Sequence, residues 1–209
     1  MDKIKNIIFD LGGVIINLDT SRTISEFNKL SKLPFEGVYN QKQQSPFFDL
    51  FDKGQLSETD FINELYSATH SDAPISELKQ AWNAMLLDFP AHRLNLLNKL
   101  KPNYRLFLLS NTNETHIIEF EKALYENHHY KNLEPFFEKV YYSCRMGMRK
   151  PDTEIFNFVL AENNLNAHET LFIDDSLQHI QGALNTGIKA HLLPKEKDVE
   201  DLIKELNLI

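Results

Sequence analysis

One apolar run that ends in a carboxylate and two glycines constrains the fold of this chain more than any other stretch. Residues 6–9 are apolar apart from the first, and Asp10, Gly12 and Gly13 follow within four positions. Such a run is typical of a strand that is buried on both faces of a parallel sheet. In an open α/β sheet, ligands bind at the carboxyl ends of the strands, and glycines let a phosphate or a metal ion approach the backbone. An ordinary strand-ending turn is the alternative, and this stretch alone does not choose between them.

Composition and charge narrow the classes of protein to which the chain can belong. It has 209 residues, 42% of them hydrophobic, which is enough for one packed domain with an insertion. A net charge of -8 argues against binding to nucleic acid or to an anionic membrane surface. We therefore expect neither partner, and an anionic substrate would need a local positive group.

The sequence predicts a cytoplasmic protein. No run approaches the length of apolar chain that spans a bilayer, and the first residues lead into the strand without a signal-like segment. The single cysteine, Cys144, excludes an internal disulfide and a zinc site built from several cysteines. We interpret Cys144 as a half-buried structural thiol.

Residues 18–89 have a different pattern from the rest of the chain. Three helical patterns occur there, and no buried-strand run lies among them. Ser21 is a candidate cap of the first helix, Ser57 opens the second and Pro74 the third. A crossover between neighbouring strands needs far fewer residues than this segment contains. The segment is therefore predicted to be an inserted helical cap over the strand ends.

Substrate specificity is expected to depend on this cap. The stretch 47–54 and Trp82 are candidates for substrate contact. Trp82 is also spaced with Leu78 and Met85 as on one face of a helix, and a tryptophan in that pattern is more often part of a packed core.

Helices and strands alternate outside the insertion. Further strands are predicted at 104–109, 137–142, 170–173 and 188–193. Pro151 is expected in the first turn of the helix that follows the second of these strands, 137–142. We predict an α/β protein with a doubly wound, parallel, Rossmann-like sheet, in which residues 1–17 and 90–209 form the core and 18–89 the inserted α-helical cap.

Polar and charged residues follow three of the predicted strands. They are Asp10, Ser110, Asn111, Asp174 and Asp175, and Lys150 joins them from a loop before a helix. Because the carboxyl ends of parallel strands share one edge of the sheet, the pattern brings acids, donors and a cation together. Ordinary strand-ending turns do not explain this combination.

The order and spacing of these residues closely resemble the haloacid dehalogenase superfamily of hydrolases, over essentially the whole chain. Asp10 matches the nucleophile of the first motif, Ser110 the hydroxyl of the second and Lys150 the lysine of the third. Asp174 and Asp175 match the acids of the fourth. The insertion is similar to the cap of those members in which the cap follows the first motif. The motifs look most like the branch of bacterial sugar-1-phosphate phosphatases and the phosphatase domain of soluble epoxide hydrolases.

This resemblance implies a Mg²⁺-dependent phosphatase that hydrolyses a small phosphorylated metabolite, such as a sugar 1-phosphate, through an aspartyl-phosphate. It assigns Mg²⁺ to Asp10, the Gly12 carbonyl and Asp175, with Asp174 ordering metal-bound water. The substrate phosphate is assigned to Lys150, Ser110, and the amides of Leu11, Gly12 and Asn111. We expect a monomer or a homodimer.

Gly12 is a departure from the family pattern. Most phosphatases of the superfamily carry a second aspartate at this position, which protonates the leaving group and then activates water. Three interpretations follow: the substrate needs little protonation, a cap residue replaces the acid, or the protein is a slow or inactive relative. Cap carboxylates that could replace it are Asp19, Asp49 and Asp52, although each is more typical of a solvated helix or turn.

Three other functions compete with the phosphatase. Haloacid dehalogenases also lack the second aspartate but work without metal, and Asp174 beside Asp175 would then be needless repulsion. A protein that binds a phosphometabolite without turnover would need no nucleophile aimed at the phosphate. Phosphonate hydrolases depend on a cap lysine. The candidates by location are Lys29, Lys32, Lys42, Lys53 and Lys79.

Overall fold

The computed structural model describes residues 3–39 and 45–209, so the candidate Lys42 lies outside the described residues. Five parallel strands form one sheet in the order β3-β2-β1-β4-β5. The strands are β1 Asn6–Phe9, β2 Arg105–Ser110, β3 Lys139–Tyr142, β4 Thr170–Asp174 and β5 Lys189–Leu192.

Ten α-helices lie within the described residues. They are α1 Thr20–Leu30, α2 Pro46–Asp52, α3 Glu58–Thr69, α4 Ile75–Asn83, α5 Ala91–Leu100, α6 Glu114–His128, α7 Ser143–Met146, α8 Thr153–Glu162, α9 Leu177–Leu184 and α10 Val199–Glu205. None of these described helices has both the length and the apolar character needed to cross a bilayer.

The strands are buried on both faces because alternate side chains enter two different hydrophobic clusters. Ile7 and Phe9 of β1 pack with residues of α5, α6 and α10. Ile8, between them, packs with residues of α8 and α9 on the opposite face. A parallel sheet covered by helices on both faces is the predicted α/β fold, and the prediction is confirmed.

Helices α1 to α4 have a hydrophobic cluster of their own. It is rich in aromatic side chains, among them Phe27, Phe48, Phe61 and Trp82. Trp82 is 4% exposed, as its helical spacing suggested. Because this cluster is separate from the two clusters of the sheet, the helices pack as a unit, and the division of the chain at 18–89 stays a prediction.

Two linkers connect this helical unit to the sheet, and they run side by side. Asn17 donates to Asp88 O at 2.9 Å and accepts from Leu87 N at 3.0 Å through its backbone, and Asp19 N donates to Met85 O at 2.9 Å. The entering and the leaving chain are therefore joined by backbone hydrogen bonds, next to the carboxyl end of β1.

Local details differ from the sequence-based predictions. Helix α1 is capped by Asp19, whose Oδ1 accepts from the Ser21 amide at 3.0 Å, so the predicted cap at Ser21 is wrong. Pro151 precedes α8 instead of lying in its first turn. It packs against α9, where a Cβ on Gly182 would lie 2.3 Å from Pro151 O. Helix α2 was not predicted, because seven residues carry too little periodicity.

Candidate active site

The carboxyl ends of three neighbouring strands meet at one edge of the sheet. Asp10 directly follows β1, and its amide donates to Ile173 O of β4 at 2.9 Å. Ser110 is the last residue of β2 and Asp174 the last residue of β4. Because β1 lies between β2 and β4, the three residues lie side by side. Their predicted convergence is therefore observed, while their chemical roles stay predictions.

The ammonium group of Lys150 lies between two of these carboxylates. Its Nζ donates to Asp10 Oδ1 and to Asp174 Oδ2, at 2.7 Å each, and the side chain has no exposed surface. Burial opposes the charge on Lys150, but the two carboxylates outweigh it and raise the pKa of the ammonium group. Lys150 therefore stays charged at neutral pH.

The side chain of Asn111 fixes the backbone of Lys150. Its Nδ2 donates to Lys150 O at 2.8 Å, and its Oδ1 accepts from Lys150 N at 2.9 Å. This pair of hydrogen bonds ties the loop before α8 to the end of β2. The sequence suggested a role only for the backbone amide of Asn111, and the contact of its side chain was missed.

Asp174 is fully buried and has several partners. Besides Lys150, Nδ1 of His179 lies 3.0 Å from both of its oxygens, and the Ser176 amide donates to Oδ1 at 2.7 Å. Burial would raise the pKa of Asp174, but Lys150 and His179 outweigh it and lower this pKa to about 2. Asp174 is therefore the ionised partner of Lys150. His179 was not predicted from the sequence. The only indication of its role was its position in the first turn of the helix that follows the two acids.

Asp175 lies against the backbone of Gly13. The φ angle of Gly13 is 69°, and a Cβ there would lie 2.4 Å from Asp175 Oδ2. Glycine satisfies both conditions, because it has no Cβ and adopts positive φ readily. Although Asp175 is an exposed residue, partial desolvation of its carboxylate and the charge of Asp174 raise its pKa to about 6. Gly13 therefore gives this acid its place beside Asp10.

The three acids form a candidate site for a metal ion. Carboxylate oxygens of Asp10, Asp174 and Asp175 all lie within 4.8 Å of one another. Burial raises the pKa of Asp10, Lys150 opposes the rise and the other two acids add to it, which brings this pKa to about 7. Three carboxylates face one ammonium, so the ionised group has excess negative charge. Hard oxygen ligands with excess negative charge fit Mg²⁺.

Gly12 offers no acid, and Leu18 occupies the space next to it. A Cβ at position 12 would lie 2.5 Å from Leu18 Cδ1. Leu18 belongs to the linker that enters α1, and it pairs with Leu86 of the returning linker. An aspartate at position 12 would therefore require the Leu18 side chain to move.

A second ion cluster joins α2 to the loops at the end of β2 and before α8. We call it the seam cluster, and it consists of Asp49, Asp52, Asn113 and Arg149. Arg149 forms an ion pair with Asp49, and its guanidinium lies 3.9 Å from Asp52 Oδ2. Asn113 Nδ2 donates to Asp52 Oδ1 at 3.4 Å. No sequence pattern singled out Arg149 apart from its place beside Lys150.

Trp82 also connects the helical unit to the sheet domain. Its ring stacks on that of His116 of α6, with centroids 4.8 Å apart and an interplanar angle of 17°. His116 Nε2 lies 3.3 Å from Trp82 O. Burial lowers the pKa of His116 to about 4, so the imidazole is neutral at pH 7. Trp82 thus packs between the two units, and its role in specificity stays a prediction.

The described lysines of the helical unit, which the sequence offered as candidates, have acidic partners. Lys29, Lys32 and Lys79 pair with acids of the helical unit itself. Lys53 instead lies 3.4 Å from Asp152, which caps α8. Among these four lysines, Lys53 is the one whose ion pair reaches the sheet domain.

Comparisons with known proteins agree on one family. Residues 7–193 match the haloacid dehalogenase-like hydrolase family. A D-ribitol-5-phosphate phosphatase from Bacteroides thetaiotaomicron is 30% identical over 177 residues, which cover 85% of each chain. A sesquiterpene phosphatase from Aspergillus oryzae is 25% identical over 88% of this chain and 87% of its own.

A solved structure extends the similarity to three dimensions. A HAD family enzyme from Bacteroides thetaiotaomicron, solved as an aspartate-to-alanine variant with magnesium and inorganic phosphate, is 34% identical to this chain. The two superpose with a TM-score of 0.89 over 96% of this chain and 98% of the other.

Proposed function

This chain belongs to the haloacid dehalogenase-like hydrolase family, and we propose that it is a Mg²⁺-dependent phosphatase for a small phosphorylated sugar or polyol. The observation that carries the proposal is the strand-end group, in which Lys150 contacts Asp10 and Asp174 at 2.7 Å and Asp175 lies close by. Similarity to enzymes named as phosphatases supports phosphate transfer over other chemistry.

The proposed residues have complementary tasks. An oxygen of Asp10 attacks phosphorus and forms an aspartyl-phosphate, which water then hydrolyses. Lys150 offsets the negative charge that gathers around Asp10. Among the residues that the structure describes, Ser110 Oγ makes only a long hydrogen bond to Asn111 O, at 3.5 Å, so the hydroxyl can turn to a phosphoryl oxygen. The backbone amides of Leu11, Gly12 and Asn111 would bind the remaining oxygens.

Mg²⁺ would be held by Asp10, the Gly12 carbonyl and Asp175. When bound, it supplies positive charge that screens the phosphate dianion from the carboxylates. Asp174 would order a metal-bound water while it holds Lys150 in place. A metal-free dehalogenase would leave three carboxylates to face one ammonium, which is the reason that we favour the phosphatase.

The cap would decide which phosphate ester is bound. A sugar 1-phosphate, implied by the motifs, and a polyol 5-phosphate, named for one relative, are the two substrate classes to compare. The boundaries 1–17, 18–89 and 90–209, a cytoplasmic location and a monomer or homodimer complete the proposal.

The test is hydrolysis of a panel that contains both classes, 4-nitrophenyl phosphate and a 2-haloacid. We expect phosphate release with Mg²⁺, its loss in chelator and its recovery when Mg²⁺ is restored. Phosphate release that is undiminished in chelator would contradict the metal assignment. Halide release without metal would select the dehalogenase instead.

A binding measurement complements the activity test. Mg²⁺ should raise the Tm of the natural protein, because a ligand of the folded state stabilises that state. The shift should be lost in Asp175→Asn and kept in Asp201→Asn, which removes an exposed carboxylate of α10. Equal shifts in both variants would remove Asp175 from the metal site.

A further inference from the structure

Because position 12 is a glycine, the proposed reaction lacks the acid that would protonate the leaving oxygen. A sugar or polyol alcohol leaves phosphorus as a strongly basic alkoxide unless a proton reaches it. Leu18 Cδ1 would lie only 2.5 Å from a Cβ at position 12, so the strand-end loop leaves little room for an acid there. A proton for the leaving oxygen therefore has to come from another side of the site.

Three carboxylates of the helical unit could supply it, and two of them are poorly suited. Asp19 caps α1, and its hydrogen bonds to Ser21 help to lower its pKa, so it stays ionised. Asp49 forms an ion pair with Arg149, and its side chain is 49% exposed. An exposed carboxylate paired with arginine is a poor proton donor at neutral pH.

Asp52 differs from both. It is the last residue of α2, and its side chain is 17% exposed. Its two partners belong to the loops that carry the proposed catalytic groups. Asn113 lies three residues after Ser110, and Arg149 directly precedes Lys150. Asp52 is thus the cap carboxylate that contacts both loops around the strand-end group.

We propose that Asp52 is the general acid and base of this phosphatase, supplied by the cap in place of the aspartate that Gly12 replaces. The inference rests on the proposed function. As Asp10 forms its bond to phosphorus and the ester P–O bond breaks, the Asp52 carboxyl gives its proton to the leaving oxygen, which departs as an alcohol. The Asp52 carboxylate then takes a proton from the water that attacks phosphorus. The bond between phosphorus and the Asp10 oxygen breaks as water attacks, inorganic phosphate leaves, and both aspartates return to their starting states.

The surroundings of Asp52 suit both halves of this cycle. Burial raises its pKa to about 6, and Asp49 adds to the rise, while Arg149 and Asn113 oppose it. Tyr39 of the cap and Cys144 of α7 are close enough for Asp52 to raise their pKa values, and both are neutral at pH 7. A group whose pKa lies near the working pH can both give and accept a proton.

The seam cluster also has room for a further polar contact. Arg149 Nε is buried and has no hydrogen-bond partner among the described residues. Buried donors are normally satisfied, so a substrate oxygen at the seam would complete this guanidinium. The same oxygen would then lie beside the Asp52 carboxyl.

The experiment compares kcat/KM for a leaving-group series, from 4-nitrophenyl phosphate through phenyl phosphate to the polyol phosphate, with Mg²⁺ present. Asp52→Asn should lower the value for the polyol phosphate by about 10² to 10⁴, and that for 4-nitrophenyl phosphate by less than about 10-fold. Asp49→Asn, the matched control, removes the other carboxylate partner of Arg149. Asp49→Asn should lower kcat/KM for every substrate of the series by the same factor. A common factor for Asp52→Asn as well would overturn the proposal and leave Asp52 a structural residue.

A measurement on the natural protein covers the case in which Asp52→Asn does not fold. With an acid in place, kcat/KM should depend only weakly on the pKa of the leaving alcohol. A steep fall from aryl to polyol phosphate would overturn the proposal while leaving the phosphatase function intact. Absence of hydrolysis across the whole series would instead overturn the proposed function, and the role of Asp52 with it.

Discussion

Arg149 and Lys150 are neighbours in the sequence, yet they serve two ion clusters of different character. Lys150 contacts carboxylates at the ends of β1 and β4, and its side chain has no exposed surface. Arg149 contacts carboxylates of α2, and its side chain is 18% exposed. One dipeptide therefore links the edge of the sheet to the helical unit.

The difference lies in what holds each cluster together. Partners of Lys150 lie at the ends of β1 and β4, two strands whose register is fixed by backbone hydrogen bonds, so their separation is set by the sheet. Partners of Arg149 belong to a unit with its own hydrophobic cluster, so their position depends on how that unit packs. We infer that the strand-end group performs phosphate transfer, and that the seam cluster adapts the site to the leaving group.

The largest expected effect is that of a substitution in the strand-end group. Asp10→Asn should lower kcat by at least about 10³-fold, because the amide is not a nucleophile. The free energy of unfolding should change little, since burial and the other two acids already raise the pKa of Asp10, and a neutral side chain avoids both the desolvation and the repulsion. Steady-state kinetics and chemical denaturation measure the two quantities.

The control for this variant is Asp49→Asn in the seam cluster, for which kcat should stay within about 10-fold of the natural value. Binding of beryllium fluoride, a mimic of the aspartyl-phosphate, should be lost in Asp10→Asn and kept in Asp49→Asn. If Asp10→Asn keeps more than a tenth of the activity, the covalent mechanism is wrong.

The next largest effect is a difference in stability between variants that lack Lys150 and variants that lack Arg149. Lys150→Met leaves two buried carboxylates without their cation and should cost about 3–5 kcal/mol of unfolding free energy. Arg149→Met removes a pair with a half-exposed partner and a buried unsatisfied Nε, so it should cost about 1 kcal/mol or less. Urea denaturation of both variants at pH 7 gives the comparison. Equal losses would mean that the seam cluster is as tightly built as the strand ends.

The smallest expected effect concerns pH and the second contact between the two units, Trp82 on His116. The folded protein keeps His116 neutral down to about pH 4, whereas the unfolded chain protonates it near pH 6.5. The unfolded state therefore binds more protons between these values, and stability falls as pH drops through this window, by about 3 kcal/mol from this group.

His116→Gln removes that proton uptake. Its unfolding free energy should fall less than that of the natural protein between pH 6.5 and 4. Above pH 7, the plots of unfolding free energy against pH should run parallel for the two proteins. Parallel curves throughout the window would show that His116 becomes charged within the folded protein.

Much of the fold could be read from local patterns. The apolar runs that became β1, β2 and β4 predicted buried strands, and Ser57 marked the start of α3 because its side chain caps the helix. Helix α2 escaped notice because it is short, and the cap of α1 was misplaced because Asp19 and Ser21 are both good capping residues. Local propensity does not decide between two adjacent candidates.

The sequence by itself determined which chemical groups end the strands. A residue placed directly after a buried strand must lie at the edge of a parallel sheet, so Asp10, Ser110 and Asp174 were predictable from periodicity alone. The match of Lys150 to the third motif and the resemblance to the family followed from the same order of residues.

Only the tertiary structure decided which side chains touch. Lys150 meets Asp10 across 140 positions, and Asp52 meets Asn113 across 61, through an order of strands and a packing of helices that no local pattern encodes. The room that Gly13 offers to Asp175, and the Leu18 side chain beside Gly12, are likewise results of tertiary packing. Periodicity reports how a segment is buried, whereas a contact depends on where two distant segments come to rest against each other.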